Sequence, residues 1–237
     1  MSDSRIALVL GGSGYVGQNV VRRLAREGVR VAFTYHTQAS IAHALADETG
    51  AAAYATNLAE PNEIRELFGR LAADALAPEI LVHAAGIACR ASTLEVEDEL
   101  ADRMYAVNVR SLLVAMQSFM KGLSGRKADV VVTASQAGIT KLPASPAFAA
   151  TQAARLGLVQ SLAKELGSSD VRMNVALLGL LSGGISASLD AGRRAEYERY
   201  AAFARVGTSE EVSAAIVRLA LENRWMTGSI LPLTGGL

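Results

Sequence analysis

The feature that most constrains this chain is a run of glycines between an apolar segment and an amphipathic one. Ile6–Leu10 is short and continuously apolar, which predicts a strand buried on both faces of a parallel sheet. Gly11–Gly17 follows, and Gln18–Glu27 has the pattern of a helix that Gly28 ends. Glycines at such a junction permit a tight turn and close ligand approach, while the helix start offers unpaired N–H groups to phosphate. The junction therefore predicts a dinucleotide site.

The glycines fit two spacings of such a site. Gly11, Gly14 and Gly17 form GxxGxxG, whereas Gly12, Gly14 and Gly17 form GxGxxG. The alternative is that they serve only the turn; binding is the interpretation carried forward. We expect these loop residues to contact the cofactor: Gly11, Ser13, Gly14, Tyr15, Val16 and Gly17.

Short β-branched strands alternate with helices along the rest of the chain. This alternation predicts an α/β fold, a single Rossmann-type doubly wound parallel sheet with helices on both faces. We expect one domain over residues 1–237, with the irregular residues 181–205 as a lid over the substrate. Predicted strands after the first are Val29–Tyr35, Ala52–Thr56, Ile80–His83, Val130–Ala134, Val171–Leu177 and Ser229–Pro232; predicted helices are Ile41–Glu48, Glu63–Ala75, Glu97–Lys121, Ser145–Leu166 and Ser209–Leu221.

Composition limits the classes of partner. Formal net charge is zero and the pI is about 6.9, so neither nucleic acid nor an anionic membrane is an expected partner. No apolar run approaches the ~20 residues of a membrane span, and no signal peptide is predicted. The single cysteine, Cys89, has no internal disulfide partner, which fits a reducing compartment. We expect a cytoplasmic protein without a metal site.

The residues after the second strand bear on the choice of cofactor. An Asp or Glu there would bond the adenosine ribose and repel a 2′-phosphate. The sequence has Thr34, Tyr35, His36 and Thr37 instead. Because the acid is missing and His36 and Thr37 can donate to a phosphate, NADP(H) is favoured over NAD(H). A solvated loop histidine is the alternative for His36.

Further motifs follow in a fixed order. Asn57-Leu58 comes after the third strand, His83-Ala84-Ala85-Gly86 after the fourth, Asn108 within a long helix, and Ser135 at the end of the fifth strand. Near the C-terminus stand Arg205–Val212, Met226-Thr227-Gly228 and Gly235-Gly236. With these motifs the chain resembles the short-chain dehydrogenase/reductase family, specifically its 3-oxoacyl-(acyl carrier protein) reductase-like group, over essentially all 237 residues.

The resemblance implies roles for these positions. Asn57 and Leu58 stand where the family contacts the adenine, and Asn108 matches the asparagine that holds a proton-relay water. Ser135 matches the catalytic serine. Ala84, Ala85 and Gly86 stand where the family has the Asn-Ala-Gly of its Asn-Asn-Ala-Gly motif, and they are expected beside the cofactor.

The chain departs from the family at two catalytic positions. The family has Tyr-x-x-x-Lys about thirteen residues after the serine, where this sequence has Phe148 and Gln152. The phenol normally protonates the substrate oxygen, and the lysine lowers its pKa and bonds the nicotinamide ribose. Phe148 has no proton to give, whereas the uncharged Gln152 can still bond the ribose. Loss of the general acid predicts a reaction slower by roughly 10²–10⁴-fold.

Two functional hypotheses follow. In the first, the protein is an NADP(H)-dependent reductase of a ketone or β-ketoacyl thioester with an atypical mechanism. Ser135 and Asn108 orient the carbonyl, and water or a substitute such as Lys141 supplies the proton; the alternative for Lys141 is an exposed loop lysine.

In the second hypothesis, the chain is a catalytically inactive nucleotide-binding subunit or scaffold that pairs with an active homologue. The helices Glu97–Lys121 and Ser145–Leu166 correspond to the family's dimer interface, and a homodimer or homotetramer is expected in either case. Alanines of the second helix permit close helix packing, or reflect helix propensity alone. A lyase or isomerase reaction is a third possibility. The alanines in question are Ala149, Ala150, Ala153 and Ala154.

The predicted lid also carries three arginines, which either meet an acidic carrier protein or face solvent. They are Arg193, Arg194 and Arg199.

Overall fold

The computed structural model describes residues 5–140, 144–187 and 189–237. Its centre is one sheet of seven strands, all parallel, in the order β3-β2-β1-β4-β5-β6-β7. This arrangement confirms the predicted doubly wound α/β fold. The strands are β1 (Ile6–Leu10), β2 (Arg30–Tyr35), β3 (Ala52–Ala55), β4 (Ile80–His83), β5 (Ala128–Ser135), β6 (Val171–Leu178) and β7 (Ile230–Leu233).

Helices cover both faces of the sheet. Helices α3, α5 and α6 pack on one face, and α1, α2 and α8 on the other. Successive residues of β1 point to opposite faces: Leu8 and Leu10 join the first core and Ala7 and Val9 the second. Apolar side chains are therefore needed at consecutive positions. The helices are α1 (Tyr15–Arg26), α2 (Ala39–Thr49), α3 (Pro61–Ala73), α4 (Asp98–Tyr105), α5 (Ser111–Leu123), α6 (Pro146–Leu166), α7 (Ala191–Tyr200) and α8 (Ser209–Glu222).

The long helix predicted at Glu97–Lys121 is interrupted. A π-helical turn at Ala106–Arg110 separates α4 from α5. Such wide turns occur often at functional sites. The buried Asn108 lies within this turn and directs its side chain to the loop that follows β4.

The segment expected to lack regular structure contains a helix. Asp190 caps the start of α7 by accepting a hydrogen bond from the Arg193 backbone at 2.9 Å. Tyr197 is buried and donates to the Thr234 carbonyl at 2.7 Å, which fixes α7 beside the end of β7. Sequence periodicity did not reveal α7 because it is short and Tyr197 is its only buried residue. Across the described residues, no helix is long and apolar enough to cross a membrane.

Candidate active site

A cavity of about 970 Å³ lies over the carboxyl ends of the strands. The strand order reverses between β1 and β4, and open α/β sheets bind ligands at such a switch point. All but two of the residues predicted for the site line the cavity. Gly17 and Asn108 lie outside its lining; the lining includes Gly11, Ser13, Gly14, Tyr15, Val16, His36, Thr37, Asn57, Leu58, Ala84, Ala85, Gly86, Ser135, Phe148 and Gln152.

The glycine loop, residues Gly11–Gly17, is held by hydrogen bonds that its backbone N–H groups donate. The Gly11 N–H donates to the Thr34 hydroxyl at 2.9 Å, and the Gly14 N–H donates to the Gly11 carbonyl at 3.0 Å. Gly14 is the N-cap of α1, and within the described residues no side chain caps the helix. The N–H groups of the first turn are therefore available to an anion.

Glycine is required at two positions of this loop for steric reasons. Gly11 has φ +80°, and a Cβ there would lie 2.7 Å from the Ala85 Cα. A Cβ on Gly17 would overlap the Gly11 carbonyl oxygen and lie 2.8 Å from the Gly12 Cα. Both contacts are with backbone, which cannot move aside as a flexible side chain can. Gly17 thus shapes the loop from behind, although it does not line the cavity.

The ends of β2 and β3 form one wall of the cavity. His36 and Thr37 are exposed there, directly after β2. The Asn57 side chain is partly engaged within its own turn, since its oxygen accepts a hydrogen bond from the Ala59 N–H at 3.1 Å. Leu58 is buried and adds an apolar surface. This wall therefore combines an apolar surface with hydrogen-bonding side chains.

Ser135 and Gln152 are neighbours at the centre of the cavity. The Ser135 backbone N–H donates to Gln152 Oε1 at 2.9 Å, and the Ser135 hydroxyl accepts from the Ala137 N–H at 3.2 Å. Within the described residues, the Ser135 hydroxyl donates to no protein group, so it can donate a hydrogen bond to a ligand. The position of Gln152, which is buried, is fixed by the serine backbone.

Phe148 lies on the apolar side of the cavity. It is 9% exposed and packs with Met104 and Ala137. Cys89 and Ile87 pack against the same cluster. A phenyl ring in these surroundings offers contact area and no proton.

The Asn108 side chain is engaged by the protein. Its oxygen accepts from the Ile87 N–H at 2.8 Å, while its nitrogen donates to the Ile87 carbonyl and to the Thr151 hydroxyl, each at 2.9 Å. Asn108 is completely buried. Its amide therefore fastens the loop after β4 to α6, and does not reach the cavity.

A buried arginine that was not among the predicted site residues lies behind the loop after β4. Arg155 is 2% exposed and lines the cavity. It donates to the Ala85 carbonyl at 3.0 Å, to the His83 carbonyl at 3.3 Å and to His83 Nδ1 at 2.8 Å. Because a guanidinium only donates, Nδ1 is the acceptor and the His83 proton is on Nε2, 2.8 Å from the Ser111 hydroxyl.

This network fixes the charge of both residues. Burial, followed by the Arg155 charge, holds the pKa of His83 well below its usual value, so the imidazole is neutral at pH 7. Burial lowers the pKa of Arg155 to about 10, which leaves the guanidinium charged. The sequence did carry a signal for Arg155: Phe148, Gln152, Arg155 and Val159 follow the spacing of one buried helix face.

The glycine loop also contacts the predicted lid. The Tyr15 hydroxyl lies 2.8 Å from the Ser182 hydroxyl. The Tyr15 ring lies so close to Gly183 that a Cβ there would be 2.6 Å from its Cε2. The glycine loop and the predicted lid therefore contact each other at Tyr15. Lys141, the candidate proton donor, lies outside the described residues.

Comparison with known proteins agrees with this geometry. The family model described as enoyl-(acyl carrier protein) reductase matches residues 13–237. A 3-oxoacyl-(acyl carrier protein) reductase of Escherichia coli is 26% identical over 239 residues, covering 99% of this chain and 98% of the relative.

Solved structures match the whole fold. A short-chain dehydrogenase of Burkholderia cenocepacia, in complex with NADP, has a TM-score of 0.92 and 29% identity, covering 98% of this chain and 97% of that one. A short-chain dehydrogenase/reductase of Serratia marcescens has a TM-score of 0.90 and 26% identity, with the same coverage. The parallel seven-stranded sheet, the glycine loop at its switch point and the match over residues 13–237 lead to one conclusion: the chain belongs to the short-chain dehydrogenase/reductase family.

Proposed function

We propose that the protein is an NADP(H)-dependent reductase of a ketone or β-ketoacyl thioester that works without the family's Tyr/Lys pair. The observation that carries the proposal is the cavity, which joins the glycine loop to the Ser135 hydroxyl. The glycine cradle and uncapped N-terminus of α1 fit a pyrophosphate. A bound nicotinamide supplies the hydride, and the protein binds and orients both partners.

The wall at the end of β2 supports NADP(H) over NAD(H). His36 and Thr37 are exposed to the cavity, and no carboxylate stands between Thr34 and Gln38 to repel a 2′-phosphate. The Burkholderia cenocepacia relative was solved with NADP, which agrees with this choice. Loop contacts with the cofactor are proposed for Gly11, Ser13, Gly14, Tyr15 and Val16, with Gly17 shaping the loop, and further contacts for Asn57, Leu58, Ala84, Ala85, Gly86 and Gln152.

In the proposed reaction Ser135 donates a hydrogen bond to the substrate oxygen. Phe148 occupies the position of the general acid, so the proton comes from water or from another group. Gln152, held by the Ser135 backbone, keeps the serine in place and offers its amide nitrogen to the ribose. Asn108 acts indirectly, by holding Ile87 and Thr151. Hydride transfer still gains from the orientation of the two reactants.

Basic side chains at the cavity rim support a carrier-bound acyl substrate. Arg90 and Arg103 are exposed and line the cavity, whereas the exposed Arg193 pairs with Asp190 at 3.4 Å and shares the lining with Glu196. Such a rim attracts the phosphate of a carrier-bound acyl group or the acidic carrier surface. Residues 181–205 are proposed as the lid over this substrate within a single domain.

We further propose a homodimer or homotetramer built on α5 and α6. Leu113 on α5 and Ala150 and Ala153 on α6 are exposed, and small side chains allow helices to approach closely. The same surface could pair this chain with an active homologue.

A catalytically inactive nucleotide-binding subunit is the second candidate function. It is favoured by Phe148 and Gln152, since the altered pair removes both the acid and its charged neighbour. In this case the cofactor stabilises the fold and the partner homologue carries out the reaction.

The two candidates are separated by NADPH oxidation at 340 nm with a panel of ketones, β-ketoacyl thioesters and enoyl thioesters. The reductase proposal predicts turnover with a ketone or β-ketoacyl thioester, and loss of that turnover in Ser135→Ala. No turnover together with an NADPH-induced rise in melting temperature supports the inactive subunit. The double change Phe148→Tyr with Gln152→Lys adds a second criterion: activity appears if the site is vestigial, and the native reaction is lost if the site was rebuilt.

A further inference from the structure

Arg155 is a buried cation that the proposed reaction does not use. Its guanidinium donates to two carbonyl oxygens and to the neutral His83 ring, none of which carries a negative charge. No ion pair within the described ranges involves Arg155. Its Nε is buried and has no hydrogen-bond partner in that same part of the chain. Burying a charge without a counter-ion is costly, so most buried charges are paired.

The charge lies close to the reacting half of the cavity. Arg155 is on α6, one turn after Gln152, and both line the cavity. Its Nη1 lies 3.4 Å from the place a Cβ on Gly86 would take. Gly86 follows β4, on the Ser135 side of the switch point and away from the wall formed by β2 and β3.

We propose that Arg155 makes this site prefer the reduced form of the nicotinamide cofactor over the oxidised form. The inference rests on the proposed function, in which a nicotinamide ring lies on the Ser135 side of the cavity. The oxidised ring carries a positive charge and the reduced ring is neutral, so an uncompensated cation repels only the oxidised ring. The protein then takes up NADPH and releases NADP⁺ after hydride transfer.

The expected preference is large enough to measure. Two unit charges ~10 Å apart at an effective dielectric constant of ~20 change a binding constant by roughly tenfold. Salt screens exposed charges strongly and buried ones much less. The preference should therefore persist in 1 M salt, whereas an effect of the rim arginines should disappear.

The test is calorimetric titration of the full chain with NADPH, with NADP⁺ and with 2′,5′-ADP, which lacks the nicotinamide. Wild type is expected to bind NADPH roughly tenfold more tightly than NADP⁺, in both low and high salt. Arg155→Met should bring the two affinities close together, while Arg155→Lys retains the difference. Affinity for 2′,5′-ADP should be similar in all three proteins and shows that the adenine half is intact.

Two results would overturn the inference: equal affinities in wild type, or an unchanged ratio in Arg155→Met. If Arg155→Met does not fold, equal wild-type affinities, or a wild-type preference that disappears in 1 M salt, still overturn the inference. Failure of the proposed dinucleotide site gives a different result, since neither NADPH nor 2′,5′-ADP would then bind, whereas a failure of catalysis alone shows as absent turnover with the affinities unchanged.

Discussion

Replacing Gly17 by alanine tests the steric account of the glycine loop. In an ordinary helix interior, alanine is more favourable than glycine by about 0.8–1.0 kcal/mol. At Gly17 the added Cβ would overlap the Gly11 carbonyl oxygen and lie 2.8 Å from the Gly12 Cα. Overpacking of this kind costs about 1–3 kcal/mol, and here the obstacle is backbone. We expect Gly17→Ala to lower the free energy of unfolding by about that amount, which exceeds the helix-propensity gain.

Gly69→Ala is the matched control. Gly69 lies in the interior of α3 and is exposed, and no atom of the described part of the chain lies within 4 Å of the place its Cβ would take. This variant should therefore gain up to about 1 kcal/mol from helix propensity. Urea unfolding measures both changes, and NADPH titration should show weaker binding only for Gly17→Ala, because its loop is displaced. Similar stabilisation of the two variants would refute the steric reasoning.

Three further perturbations test the His83–Arg155 network, a helix cap and a buried carboxylate, each by urea unfolding. His83→Asn should reduce the acid sensitivity of the fold. Because the pKa of His83 is lowered in the folded state, only the unfolded chain binds a proton at this residue below pH ~6.5. The free energy of unfolding of wild type should therefore fall by up to ~1.4 kcal/mol per pH unit below that pH, and this fall should be absent from the variant. Equal slopes between pH 7.5 and 5.5 would contradict this. Thr208→Ala removes the capping box with Glu211 and should cost about 0.5–2 kcal/mol; no loss would mean that the cap is unimportant. Asp129→Asn should cost about 1.5–3 kcal/mol, since the buried carboxylate accepts from Arg172 at 2.8 Å and 2.9 Å and from Arg5 at 2.8 Å, while both arginines stay partly exposed; a change under about 1 kcal/mol would indicate surface-like energetics.

The fold could be predicted from sequence because local and global signals agree. The apolar run Ile6–Leu10 became β1 with unchanged ends, since both of its faces are covered by helices. Ile80–His83 was also predicted with its observed ends. Helix starts were less well predicted: α1 begins at Tyr15, three residues before the predicted start, because its N-cap is a glycine that carries no side-chain signal.

The site was only partly predictable. The order of motifs identified the lining residues from Gly11 to Gln152, because parallel strands bring their carboxyl ends to one edge. The side-chain partners were not foreseeable. Arg155 bonds groups about 70 residues away in the chain, and the Asn108 side chain is engaged by Ile87 and Thr151. Such long-range pairings depend on where the fold places α6 relative to the loop after β4, which no local pattern encodes.

The central claim is that the glycine loop and the wall at His36 and Thr37 form an NADP(H) site. The most direct test is the affinity of the purified full chain for NADPH and for NADH, measured by calorimetric titration. We expect saturable NADPH binding that is clearly tighter than NADH binding, because the wall offers donors to the 2′-phosphate and no carboxylate. Absence of NADPH binding, or an equal affinity for NADH, would contradict the claim.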